Sequence, residues 1–174
     1  MELVKIFCKD GKLFVNINEC IYSLKGYFGS LLGDELLDEL IIKDKKLKEC
    51  FNETIGVNDS GEHYQFFALI DKNVIVAKAC IFYNTNDNYA INNKRIYITS
   101  LGVLNSRRNQ GIGTLFMNKL FDYFKGYQIT IGVEPSNKIA YHFYEKLGFK
   151  CFKEELLDTE HMIIYDLLVK FIRR

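Results

Sequence analysis

The decisive stretch is Ile98-Thr99-Ser100-Leu101-Gly102-Val103-Leu104-Asn105-Ser106-Arg107-Arg108-Asn109-Gln110-Gly111-Ile112-Gly113-Thr114-Leu115. A β-prone run, Arg95 to Leu104, passes into a polar turn with two glycines, and the turn opens an apolar-periodic segment, Ile112 to Lys125, that Gly126 would stop. Strand, glycine turn and helix start together offer unpaired amides at the positive end of a helix dipole, a ready site for phosphate. Gly111 and Gly113 let backbone approach an anion without a side chain between, and Arg107 and Arg108 add positive charge. The pattern is not the nucleotide-triphosphate loop, because no Gly-Lys-Ser/Thr follows. It is not the dinucleotide fingerprint either, because position 116 is Phe. By itself the glycine pair is equally compatible with a plain helix start.

Downstream, Gln128 to Val133 reads as a strand, and Pro135-Ser136-Asn137-Lys138-Ile139-Ala140-Tyr141-His142-Phe143-Tyr144-Glu145-Lys146-Leu147-Gly148-Phe149 as a helix over Ser136 to Leu147 ended by Gly148. Asn137, Ala140 and Tyr144 are spaced three and four apart and so line one stripe: an amide, a small residue, then a phenol. An extended ligand could lie along it. The alternative is that Ile139, Ala140, Phe143 and Leu147 are core and Tyr144 a rim residue.

Upstream, Leu3 to Cys8 and Leu13 to Ile17 flank an Asp10-Gly11 hairpin turn. Cys20, Ile21, Leu24, Tyr27, Phe28 and Leu31 recur at helical spacing, with Gly33 as a stop. A second helix would be capped by Asp34, with Leu36, Leu37, Leu40, Ile41 and Leu47 on its apolar face and Lys43, Lys45, Lys46 and Lys48 toward solvent. Tyr64 to Ile70 and Val74 to Tyr83 form a hairpin through Asp71-Lys72-Asn73, and Asn84 to Asn93 is a polar loop. Phe149 to Phe152 and His161 to Leu168 close the sheet.

The chain has 174 residues, 48% hydrophobic and 26% charged, enough for one ordinary globular core and incompatible with a disordered or fibrous chain. Without a repeat or a Pro- or Ser-rich linker, residues 1–174 read as a single domain of mixed α/β class. Lys plus Arg number 23 against 22 Asp plus Glu, so net charge recruits neither nucleic acid nor an anionic membrane. No apolar run is long enough to span a membrane, and the start lacks a signal-peptide layout, so the expected location is cytoplasmic. The 5 cysteines contain no C-x-x-C, which argues for buried thiols and for no metal site.

Together the two segments resemble the GNAT superfamily of acyl-CoA-dependent N-acetyltransferases. Arg108-x-x-Gly111-x-Gly113 matches its pyrophosphate loop, and Asn137-x-x-Ala140 with Tyr144 and Gly148-Phe149 matches its next helix, so the specific likeness runs from about Ile98 to Phe149. The resemblance implies a central mixed, mostly antiparallel twisted sheet of about six to seven strands flanked by about four helices. It implies acetyl-CoA as co-substrate and transfer to a primary amine, on a small molecule or a protein, by direct attack in a ternary complex. The amides of Arg108, Asn109, Gln110, Gly111, Ile112, Gly113 and Thr114 would hold the pyrophosphate. The main chain of Leu101 and Val103 would pair with the pantetheine amides. Asn137 and Ala140 would lie along the pantetheine arm and Tyr144 beside the thioester sulfur as general acid. The Val103 N–H would face the developing oxyanion. Asn105 and Asn109 stand where the family often has Pro and Gly; Asn tolerates a left-handed backbone, which keeps the loop conformation.

For the base, Glu134 at the end of its strand is the nearest carboxylate, with Glu62 and His63 as outsiders; each has a reading as an ordinary surface group. Glu154, Glu155, Asp158 and Glu160 read as an acidic loop that could attract a cationic amine or simply be solvated. Leu167 to Phe171 could be an exposed strand pairing with a second subunit in a homodimer, or a final core strand. A rival to the enzyme is a catalytically silent acyl-CoA sensor of the same fold.

Overall fold

A computed structural model describes residues 1–9, 12–18, 20–25, 41–46, 56–57, 63–83, 94–134, 136–157 and 166–173. They contain eleven strands, β1 (Glu2–Lys9), β2 (Lys12–Ile17), β3 (Cys20–Lys25), β4 (Ile41–Lys46), β5 (Gly56–Val57), β6 (His63–Asp71), β7 (Val74–Tyr83), β8 (Arg95–Val103), β9 (Gln128–Val133), β10 (Lys150–Leu157) and β11 (Asp166–Arg173). Two α-helices, α1 (Ile112–Tyr123) and α2 (Lys138–Lys146), accompany them, with a 3-10 turn at Asn105–Arg107. The chain divides into two compact units, Met1–Tyr83 with Thr99–Lys125, and Asn84–Ile98 with Gly126–Arg174.

In the first unit β1 and β2 form the hairpin read from Asp10-Gly11, with Ile6 opposite Val15 and Lys9 opposite Lys12. Their continuation differs from expectation. Where helical spacing predicts a helix from Glu19, Asn18 turns the chain at φ 49 and Cys20–Lys25 returns as β3, Ile17 opposite Cys20. The reason lies in burial on both faces. β3 pairs with β2 in unbroken register, so Ile21 and Leu24, three residues apart as on a helix, lie on opposite faces of the strand, and both are buried. The second expected helix is likewise overturned over Ile41–Lys46, which is β4; the rest of both segments lies outside the described residues. Among the described residues there are thus two α-helices where about four are expected.

The strand order β7-β4-β3-β2-β1-β6, together with the pairing of β6 on β7, makes a closed circuit of neighbours, β4 meeting β7 at Ile41↔Val74. β6 and β7 are buried along nearly their whole length, as strands packed on both faces are. α1 lays Ile112, Phe116, Met117 and Leu120 into this unit at helical spacing, each burial contributing about 1.5–3 kcal/mol. Phe124 follows in the same stripe, its ring 5.5 Å from that of Phe67.

In the second unit β8 pairs with β9 in parallel from Arg95↔Gln128 to Ile98↔Ile131. β11 lies between β9 and β10, antiparallel to both. Leu167 to Phe171 is therefore an internal strand of this unit, which removes the reading as an exposed pairing edge. Glu154 and Glu155 belong to β10, opposite Val169 and Leu168, and not to a loop. Asp158, Glu160, the Asn84–Asn93 loop and His161 lie outside the described residues.

Candidate functional site

The predicted site residues fall into two groups, one in each unit. In the first unit β8 continues past its β9 ladder through Thr99–Val103, then turns through Asn105–Arg107 into α1. Leu104 donates its N–H to the Val76 carbonyl on β7 at 2.9 Å. Because backbone groups alternate sides along a strand, the peptide groups of Leu101 and Val103 face away from β7. The Val103 carbonyl accepts the Arg108 Nε–H at 3.1 Å, which leaves the Val103 N–H on that same outward side.

Two residues of the turn are left-handed. Asn109 is left-handed at φ 59 and Gly111 at φ 75, while Asn105 opens the 3-10 turn without positive φ. The first N–H spent inside α1 is that of Leu115, bonded to the Gly111 carbonyl at 2.9 Å. No side chain caps the helix and no acidic residue stands in its first turn, so the amides of Ile112, Gly113 and Thr114 present the positive end of the dipole without competition. A Cβ built on Gly111 would meet nothing within 4 Å, so the surface over the turn is open. These residues fit the diphosphate of an acyl-CoA: donors in a row, a cation alongside in the exposed Arg108, and no acidic residue in the first turn of the helix.

Two contacts that sequence reasoning missed hold this segment. Arg107 Nη2 donates to Asp71 Oδ2 at 2.7 Å, tying the turn to the tip of the β6–β7 hairpin. Lys78, wholly buried on β7, donates from Nζ to the Ser100 carbonyl at 3.4 Å, and Ser100 is left-handed at φ 51 inside β8. The signal for the second was present in the sequence: Lys78 is the one charged residue in the apolar run Val74 to Tyr83. Asp71 carried no such mark.

In the second unit Glu134, Asn137, Ala140 and Tyr144 follow one another from the end of β9 along α2. Asn137 is the N-cap, its Oδ1 accepting the Ala140 N–H at 3.1 Å, which orients its amide. Ala140 is half-buried, while Tyr144 is the buried residue of α2, its ring 5.3 Å from Phe143 and 5.7 Å from Phe149. Glu134 is exposed, with Ser136 Oγ donating to its Oε2 at 3.5 Å. Of the outsiders, His63 is exposed at the start of β6 and Glu62 lies outside the described residues. His142 pairs with Glu145 on the helix surface at 3.2 Å. Burial pushes the Cys80 thiol up to about 12, against the smaller opposing pull of the Lys78 ammonium, so it is no nucleophile at neutral pH. Among the described residues no group of His, Cys, Asp or Glu could hold a metal, and no helix is long and apolar enough to cross a membrane.

A strand that passes through a left-handed glycine turn into a helix with unpartnered first amides, on a mixed α/β scaffold, is an arrangement suited to an anionic phosphate group. The family model described as acetyltransferase (GNAT) family matches residues 28–149, well over half the sequence, and the chain belongs to that family. Similar solved structures include an IAA acetyltransferase from Bacillus cereus, 16% identical with a TM-score of 0.52, the match covering 63% of this chain and 76% of that one. A GNAT family acetyltransferase from Elizabethkingia anophelis with acetyl-CoA bound is 15% identical with a TM-score of 0.52, over 63% and 74%. A probable acetyltransferase from Staphylococcus epidermidis is 17% identical with the same TM-score, over 63% and 67%. At these identities the likeness is one of fold. No curated protein sequence matches the chain.

Proposed function

We propose that the protein is an N-acetyltransferase that moves an acetyl group from acetyl-CoA to a primary amine by direct attack. What carries the reading is the start of α1: three helix amides without intrahelical partners, behind a left-handed Gly111, in a chain of the GNAT family. The amides from Arg108 to Thr114 hold the pyrophosphate, and the outward peptide groups of Leu101 and Val103 pair with the pantetheine amides as a strand would. Asn137 contributes its amide to the same arm, with Ala140 leaving room beside it.

In the reaction the amine nitrogen bonds to the acetyl carbon, the carbon–sulfur bond breaks, and the electron pair leaves on sulfur. The Val103 N–H meets the negative charge that develops on the acetyl oxygen, a contribution of about 3–4 kcal/mol in acyl transfer. The Tyr144 hydroxyl donates a hydrogen bond to the departing sulfur. A phenol near 10 against a thiol near 8.5 makes complete proton transfer uphill by about 2 kcal/mol, so the hydrogen bond itself is the stabilising element. The amine's proton leaves to Glu134, directly or through water, which suits an exposed carboxylate at the end of β9.

Calorimetric titration with acetyl-CoA and CoA, with ATP and NAD as controls, tests the reading. Saturable binding of the CoA species alone, followed by thiol release with a panel of amines, is the expected result. Absence of binding to either CoA species overturns it, and binding without turnover on any amine favours the sensor.

A further inference from the structure

Lys78 and Ser100 make an unusual pair inside the first unit. Lys78 is 0% exposed in the middle of β7, among Val76, Ala77, Ala79 and Cys80, where an apolar side chain would be the ordinary choice. Its ammonium reaches the carbonyl of Ser100 on β8. Ser100 in turn has φ 51, a conformation that a serine inside a strand adopts only when its surroundings enforce it. A left-handed residue within a strand is the backbone mark of a bulge, and a bulge resets which of the alternating peptide groups face a neighbouring strand. Here the frame after Ser100 turns the Leu104 N–H to Val76 and the peptide groups of Leu101 and Val103 outward. Were Ser100 to relax into extended backbone, that alternation would slip by one residue, and Gly102 and Leu104 would present their groups outward instead.

We infer that Lys78 is a positioning residue: by donating to the Ser100 carbonyl it locks the bulge in β8 and so fixes the Leu101 and Val103 amides in the orientation that acetyl-CoA requires. The last clause rests on the function proposed above; the locking of the bulge does not. A lysine serves this role because a flexible stem carries several donors to one buried carbonyl, whereas an isosteric Met or Leu carries none.

The test uses the full chain and four proteins: the parent, Lys78→Met, Ser100→Gly and the double variant. Two readouts are taken, the hydrogen-exchange rate of the Leu104 amide relative to that of Ala68 on β6, which needs no cofactor, and acetyl-CoA affinity by calorimetry. In Lys78→Met the Leu104 amide is expected to exchange about tenfold faster and acetyl-CoA to bind about tenfold more weakly, the size of coupling found between contacting residues. In the double variant both are expected to recover most of the way, because glycine holds positive φ without help. A merely structural lysine would not be rescued by that glycine. Unchanged exchange in Lys78→Met, or exchange that the added glycine fails to restore, overturns the inference. If the exchange results hold while the parent binds no acetyl-CoA, the locked bulge stands and the proposed function falls. Should Lys78→Met not fold, Lys78→Gln keeps a donor at the site. It is expected to leave Leu104 exchange within about threefold of the parent, and a tenfold rise overturns the inference.

Discussion

Arg107 Nη2 lies 2.7 Å from Asp71 Oδ2, so the turn that opens α1 is held by charge to the tip of a hairpin more than thirty residues earlier in the chain. Both side chains are about a third exposed, which limits the pair to roughly 0.5–1 kcal/mol of stability. The pair also fixes the position of the turn before α1. Asp71→Asn and Arg107→Gln are each expected to lower the melting temperature by a few degrees and to weaken acetyl-CoA binding by about threefold. The double variant should be no worse than the weaker single one. Additive losses in a melting and calorimetry cycle would show that the two residues act independently.

Gly111 has φ 75 with open space where a Cβ would stand, so a side chain there is strained but not obstructed. Gly111→Ala is expected to cost about 1 kcal/mol of stability and to retain measurable acetyl-CoA binding. Gly111→Glu carries similar strain but places a carboxylate over the helix amides, in the space proposed for the pyrophosphate. It is expected to remain folded by circular dichroism and to lose binding altogether. Normal affinity in the glutamate variant would remove the turn from the site.

Cys80 is held protonated by burial, its thiol raised to about 12 from an ordinary 9.0. At pH 8 iodoacetamide is expected to leave Cys80 unmodified in the folded protein, while the half-exposed Cys8 and Cys20 react. Between pH 9 and 12 the unfolded thiol loses its proton and the folded one keeps it, so the unfolded state binds fewer protons and stability falls as pH rises through that window. Peptide mass mapping reads the first effect, and denaturant melts at pH 8 and 10 the second.

The elements that form the site were legible because local chemistry decides them. Asn109 and Gly111 both take the left-handed backbone their types favour, and the glycine stops at Gly126 and Gly148 lie at φ 86 and 85. β3 was not legible because burial on both of its faces, at Ile21 and Leu24, gives a strand the spacing of a helix, and only its partners on either side decide the matter. Asp71 left no mark in the sequence, and Lys78 showed only as the lone charge of an apolar run, without its partner. Each acts on β8 or the turn after it across a long separation in sequence, through a contact that exists only once the strands are paired.

Tyr144 is buried, with its ring edge-on to Phe149 at 5.7 Å. Phenylalanine therefore preserves the packing and removes only the hydroxyl. Tyr144→Phe is expected to melt within a degree or two of the parent and to bind acetyl-CoA with unchanged affinity, while kcat falls by about 10²-fold, since the hydroxyl matters when negative charge reaches the sulfur. Equal turnover would take Tyr144 out of the mechanism, and a loss confined to KM would make it a binding group.

Asn137 combines two roles that one substitution separates. Its Oδ1 accepts the Ala140 N–H and caps α2, and its Nδ2 is the group proposed to meet the pantetheine arm. Asn137→Ala removes both and is expected to cost about 1 kcal/mol of stability together with acetyl-CoA affinity. Asn137→Asp keeps the acceptor, and its charge favours the helix start, so the melting temperature should hold or rise slightly. The donor, however, is gone. Acetyl-CoA binding is then expected to weaken by about tenfold in the aspartate variant as in the alanine one, the cost of one unmade hydrogen bond. If the aspartate variant binds as well as the parent, Asn137 is a cap and nothing more, and the contact to the pantetheine must come from another residue.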